Sequence, residues 1–297
     1  MFRFSLSLGL MTLFCATSAL ATSALAMPDA HQHMAGHHNA PAQSSHAMHQ
    51  GHGGTHHASA PAGLLKAEVV KAPVLQPGRP AAITLRLLQG DGKTPLPLDA
   101  VKEVHTRKIH LLIIDPNLTD YHHVHPLPTQ VPGEYRFTFT PQKTAYQIWA
   151  DVTPLATGKQ EYVRAALGQP DAVTAKVDET PRMVATVAGS TFTLALAETP
   201  QAGKPVMASI TVTRNGQPFR KLEPVMGAFA HLVGFAADGQ SVMHVHPMGQ
   251  EPASAADRGG PVLQFHITPE APGFVKLFAQ FLIDGQDVFV PFGVVVR

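Results

Sequence analysis

From Leu64 onward, short apolar runs alternate with polar positions and are broken by turn pairs. Ala82-Ile83-Thr84-Leu85-Arg86-Leu87, Glu134-Tyr135-Arg136-Phe137-Thr138-Phe139 and Thr191-Phe192-Thr193-Leu194-Ala195-Leu196 have the period of two expected of strands with one face buried. Asp91-Gly92, Asn215-Gly216, Asp238-Gly239 and Asp284-Gly285 lie between such runs. These pairs reach the left-handed backbone that tight hairpins need. No segment sustains a helical repeat. Short strands at this spacing predict an all-β chain built of sandwiches rather than a parallel α/β sheet.

An internal repeat sets the number of domains. His110-Leu111 recurs as His231-Leu232, and His123-Val124-His125-Pro126 recurs as His244-Val245-His246-Pro247, both 121 residues later. Phe137-Thr138-Phe139-Thr140-Pro141 then matches Phe265-His266-Ile267-Thr268-Pro269 at 128, and the strand around Trp149-Ala150 matches Phe278-Ala279 at 129. A longer loop in the second copy, near Ala253 to Gly260, accounts for the drift. Two tandem domains are therefore expected, over residues 63–172 and 178–297.

The N-terminus changes the setting. Arg3, an apolar run from Phe4 to Leu20 and Ala24-Leu25-Ala26 predict a cleaved secretory signal over residues 1–26, and hence a periplasmic or secreted protein. The single cysteine, Cys15, lies within that segment, so any metal held after cleavage has His, Met, carboxylate or backbone ligands. No other stretch is long and apolar enough to span a bilayer. Without Arg3 the basic and acidic residues balance, which argues against nucleic acid as a partner. Residues 27–62 lack apolar periodicity and are expected to form a disordered tail.

That tail carries nine of the 18 histidines, His31, His33, His37, His38, His46, His49, His52, His56 and His57, which suits capture of copper, zinc or nickel. The repeated histidines are the sharper signal. Residues two apart on a strand share a face, so His123 with His125, and His244 with His246, project together. His110 and His231, on the preceding strands, would complete two groups of three imidazoles. Three converging imidazoles suit zinc or copper. At the same offset His105 falls on Met226 and His122 on Met243, an exchange that keeps copper-ligand chemistry and leans toward copper. Asp120 and Asp151 are candidates to orient a ligand imidazole. Against all this stands a structural reading, in which the histidines bond loop carbonyls and Met226 and Met243 fill core gaps.

Enzyme motifs are scarce: there is no nucleophile elbow, phosphate-binding glycine loop, dinucleotide fingerprint or HExxH helix. The stretch His110 to Pro126, with His123-Val124-His125-Pro126 at its end, resembles a group of secreted bacterial proteins with a motif of the form HLxxxxxDLxxFxHxHP. Met226 to Pro247 is similar to their companion repeat. In the first repeat Asn117 stands at the motif's usual acidic position. The resemblance implies tandem immunoglobulin-like or cupredoxin-like domains and the handling of copper or other heavy metals. The expectation is a periplasmic protein, not an enzyme, that buffers or relays copper, with an envelope transporter or acceptor protein as partner. An extracytoplasmic adaptor with structural histidines is the alternative from another class, and a metal-dependent enzyme a third.

Overall fold

The computed structural model describes residues 56–59, 65–169 and 176–297. The expected signal segment and the tail histidines from His31 to His52 lie outside these residues. The strands are β1 His56–Ser59, β2 Leu65–Lys71, β3 Ala81–Gln89, β4 Ile109–Ile114, β5 Tyr121–Val124, β6 Leu127–Pro128, β7 Glu134–Phe139, β8 Ala145–Val152 and β9 Glu161–Gly168. They continue with β10 Val184–Val187, β11 Ser190–Leu196, β12 Val206–Arg214, β13 Gln217–Pro218, β14 His231–Ala236, β15 Ser241–Val245, β16 Val262–Ile267, β17 Gly273–Ile283 and β18 Gln286–Val296. Leu98–Ala100 forms a single 3-10 turn. The chain is nearly all β and is organised as tandem sandwiches.

In the first sandwich, sheet β2-β3-β7-β6 faces sheet β5-β4-β8-β9. Alternation supplies the core between them: Ile83, Leu85 and Leu87 from β3 and Tyr135, Phe137 and Phe139 from β7 meet Leu111 and Ile113 from β4 and Ile148 and Ala150 from β8. The second sandwich repeats this plan. β11, β12 and β16 carry Phe192, Ile210 and Phe265 against Leu232 of β14, Leu277 and Phe281 of β17 and Phe292 of β18.

The other faces of β4 and β14 are also apolar, which is why all six residues of β4 are buried. Leu112, Ile114, Tyr121, Trp149 and Tyr162 of the first domain form a third core with Val233, Phe235, Val242 and Phe278 of the second. Tyr121 stacks on Phe278 with ring centroids 5.0 Å apart. The two domains thus meet through equivalent sheet faces, burying the outer surface of each β4/β14 sheet in its neighbour.

Four residues of the segment expected to lack structure, His56–Ser59, form β1. It pairs antiparallel with β15, placing His56 at the register position of His244 and His57 at that of Met243. β15 would otherwise be the edge of its sheet, and an edge strand offers unpaired backbone groups to any extended segment.

Candidate metal centre

The repeated histidines all sit at one end of the face shared by the domains. His110 occupies the same side of β4 as Leu112 and Ile114, and His123 the same side of β5 as Tyr121. The β4–β5 turn fixes their register: the buried Asp115 carboxylate accepts the backbone N–H groups of Thr119 at 2.6 Å and Asp120 at 2.7 Å. With Leu111 opposite Val124, one step further brings His110 beside His125. The β14–β15 pairing, Val233 opposite His244 and Leu232 opposite Val245, does the same for His231 and His246.

Two imidazole triads result, His110/His123/His125 and His231/His244/His246, each with three ring nitrogens within 4.8 Å of one another. Among the described residues these are the groups of His, Cys or carboxylate side chains placed to hold a metal ion. In the first, His110 Nδ1 is 3.1 Å from His123 Nε2 and 3.2 Å from His125 Nε2. In the second, His231 Nδ1 is 3.3 Å from His244 Nε2, and His246 Nε2 is buried without a hydrogen-bond partner. Nitrogens bonded at 2.0–2.1 Å to one tetrahedral ion lie about 3.3–3.4 Å apart.

The outer nitrogens fix the tautomers. His110 Nε2–H donates to Val104 O at 3.0 Å, and His231 Nε2–H donates to Val225 O at 3.0 Å. His123 Nδ1–H donates to Gln280 Oε1 at 2.9 Å, with Gln280 oriented by the bond from its Nε2 to Asp287 Oδ1. His244 Nδ1–H donates to Asp151 Oδ2 at 2.9 Å, and Asp151 Oδ1 accepts Gln160 Nε2 at 2.6 Å. In the neutral imidazole one nitrogen carries the proton and the other a lone pair. The close contacts between His110 and His123, and between His231 and His244, therefore set lone pair against lone pair, an arrangement that a cation between them satisfies.

These supports are exchanged between domains. Asp151 lies opposite His110 in the β4–β8 pairing, yet it holds His244 of the other domain. Gln280 lies opposite His231, yet it holds His123.

Burial keeps five of the six triad imidazoles unprotonated. Burial, and next the proximity of His244, lower His110 to about 4. Burial, then His110, lowers His125 to about 3. Burial likewise holds His123, His231 and His246 well below the ordinary histidine value. For Asp151 burial pushes upward, but the hydrogen bond from His244 and the surrounding imidazoles outweigh it, and the carboxyl stays below its usual range.

The comparisons with known proteins bear on the two domains. The sequence profile described as a domain of unknown function, DUF8832, matches residues 64–167 and again 185–297. The chain belongs to the DUF8832 family. Its two family domains are the two sandwiches, and each carries one triad. Among curated proteins nothing matches the sequence. Solved structures similar to it include dimeric latent PorU from Porphyromonas gingivalis, at 12% identity and TM-score 0.25 over 79% of this chain and 24% of that one. Trypsin-activated alpha-2-macroglobulin from Escherichia coli aligns at 17% identity and TM-score 0.25, over 80% of this chain and 16% of that one. The fibronectin(III)-like modules of CbhA from Clostridium thermocellum align at 13% identity and TM-score 0.20, over 77% and 92%. The chain thus spans about a quarter and a sixth of the first two.

The remaining sequence candidates fall differently within the DUF8832 domains. His105 sits with φ 50° in the turn before β4 and stacks on His246 of the other domain, ring centroids 3.4 Å apart. Met226 occupies the equivalent turn with φ 51°, followed by Gly227 where the first domain has Thr106 at φ 66°. A β-branched residue there is strained. His122 and Met243 do not join the triads. Each is adjacent to a triad histidine and so points to the opposite face: His122 packs on Phe139 and lies 3.1 Å from Asp120 Oδ2, while Met243 lies in the second domain's core. The His122-to-Met243 exchange therefore lies outside the triads. Asp120 contacts His122 and the backbone N–H of Gln142 and holds no triad histidine, whereas Asp151 holds His244. Gln280 was missed by sequence reasoning, although it falls on Asp151 at the 129-residue offset shared with Trp149 and Phe278.

Proposed function

We propose that this protein is an exported metal-binding protein that holds copper in its histidine triads and buffers or relays it in the cell envelope. The observation that carries the reading is the set of tautomers. Four imidazoles spend their outer N–H on Val104 O, Gln280, Val225 O and Asp151, leaving inner lone pairs converged in a buried site. Such a site is organised for a cation in advance, with little proton competition at neutral pH.

Copper is favoured over zinc and nickel because all six triad ligands are imidazoles, for which copper(II) has the highest affinity among the common divalent ions. Among the described residues neither a thiolate nor a carboxylate belongs to either triad. The tail histidines from His31 to His57 would capture the ion and pass it to the triads, and an envelope transporter or acceptor would receive it.

The test is a calorimetric titration of the signal-cleaved chain with copper(I), copper(II) and zinc, beside a His123→Ala/His125→Ala variant. Tight copper binding that is weakened in the variant supports the reading. Unchanged stability and no tight binding with any of the metals would replace it with the adaptor reading.

A further inference from the structure

The triads belong to different domains, yet their rings approach one another across the interface nearly as closely as within each triad. His123 and His244 have ring centroids 5.2 Å apart, His110 and His244 5.4 Å, and His123 and His231 5.7 Å. Within the triads the ring centroids lie between 4.6 Å, for His231 and His246, and 5.5 Å, for His231 and His244. A void of about 20 Å³ is lined by His110 of the first triad together with His105, His244 and His246 around the second, and by Asp151, Gln160 and Lys108, whose ammonium donates to Leu98 O. A volume of that order admits one small occupant. Each triad, finally, has one imidazole held by a side chain of the opposite domain.

We infer that the two triads form a single dinuclear metal centre clamped between the domains, in which two ions bind close enough to interact. The inference rests on the metal-binding reading of the triads. Each ion would take three imidazole nitrogens from one domain and depend for ligand orientation on Gln280 or Asp151 of the other. Loading one triad therefore fixes part of the frame of its neighbour, and the interface is tightened by both ions.

The halves are chemically unequal. The second triad is backed by the Asp151 carboxylate and covered by the His105 ring, whereas the first is backed by the Gln280 amide. A carboxylate raises the basicity of the imidazole it holds more than an amide does. The second triad is thus expected to fill first, and the first to hold the more exchangeable ion.

The experiment uses the full signal-cleaved chain with its nine tail histidines replaced by glutamine, so that bound copper(II) reports the triads alone. Metal analysis gives the stoichiometry and electron paramagnetic resonance the spin state. The expected result is two copper ions per chain with a half-field transition and an integrated intensity below the copper content. His125→Ala, and independently His246→Ala, should each leave about one ion with an ordinary mononuclear signal, and two such variants guard against misfolding of either one. Two ions with full, uncoupled intensity, or one ion per chain that resists both substitutions, would overturn the dinuclear centre while leaving metal binding intact. Absence of bound copper would overturn both.

Discussion

Asp151→Asn probes the exchange of supports between domains. The carboxylate is 6% exposed and accepts His244 Nδ1–H at 2.9 Å. Asparagine preserves the shape, and Gln160 can turn its amide to meet the new N–H, because its Oε1 is buried without a hydrogen-bond partner. What is lost is mainly the charge. An ion on His244 Nε2 would stand roughly 6–7 Å from the carboxylate, where one unit of charge is worth about 2.5 kcal/mol at an effective dielectric constant near 20. The asparagine dipole recovers part of this. A ten- to hundredfold loss of affinity is therefore expected, about 1.4–2.7 kcal/mol. Competition against a chromophoric chelator measures it, with the lone tryptophan, Trp149, as an internal fluorescence reporter in the shared core. The loss should persist in a His125→Ala background and vanish in a His246→Ala background, although Asp151 belongs to the other domain. Unchanged affinity, or the opposite dependence on background, would refute the reasoning.

Metal-free protein should lose stability in acid. His110 titrates near 4 when folded and near 6.5 when unfolded, so between these values the unfolded chain binds more protons and stability falls as pH falls. That histidine alone accounts for roughly 3 kcal/mol across the window, and urea unfolding from pH 7 to pH 4 should show the decline; a flat profile would contradict the burial of neutral imidazoles. Tyr121→Phe should stabilise the metal-free chain by about 1 kcal/mol, because the Tyr121 hydroxyl is buried without a hydrogen-bond partner; a loss of stability by the same assay would show that it is satisfied. Met243→Leu should cost less than about 1.5 kcal/mol and leave copper affinity unchanged, since Met243 packs in the second core; an affinity loss would return it to the ligand set.

Much of this architecture is legible in the sequence, for reasons that also mark where legibility ends. Alternation in Ile83, Leu85 and Leu87 and in Tyr135, Phe137 and Phe139 reveals strands because each run has one buried face. Ile109 to Ile114 reads as a strand buried on both sides, but the pattern does not say that its second face meets the other domain. The triads follow from the 121-residue repeat and the two-residue spacing of the HxHP elements. The same alternation, applied to their neighbours, places His122 and Met243 on the opposite face. Gln280 is harder to find: glutamine is an uncommon support for a ligand imidazole, and its contact with His123 spans 157 residues. Only the equivalence of Asp151 and Gln280 in the repeat connects them.

The most direct test of the central claim is anomalous diffraction from a crystal of the copper-loaded chain from Met27 onward. The account predicts a copper peak bonded to His110 Nδ1, His123 Nε2 and His125, and a second bonded to His231 Nδ1, His244 Nε2 and His246. Copper found only elsewhere, with both triads retaining their imidazole contacts and no peak between them, would contradict it.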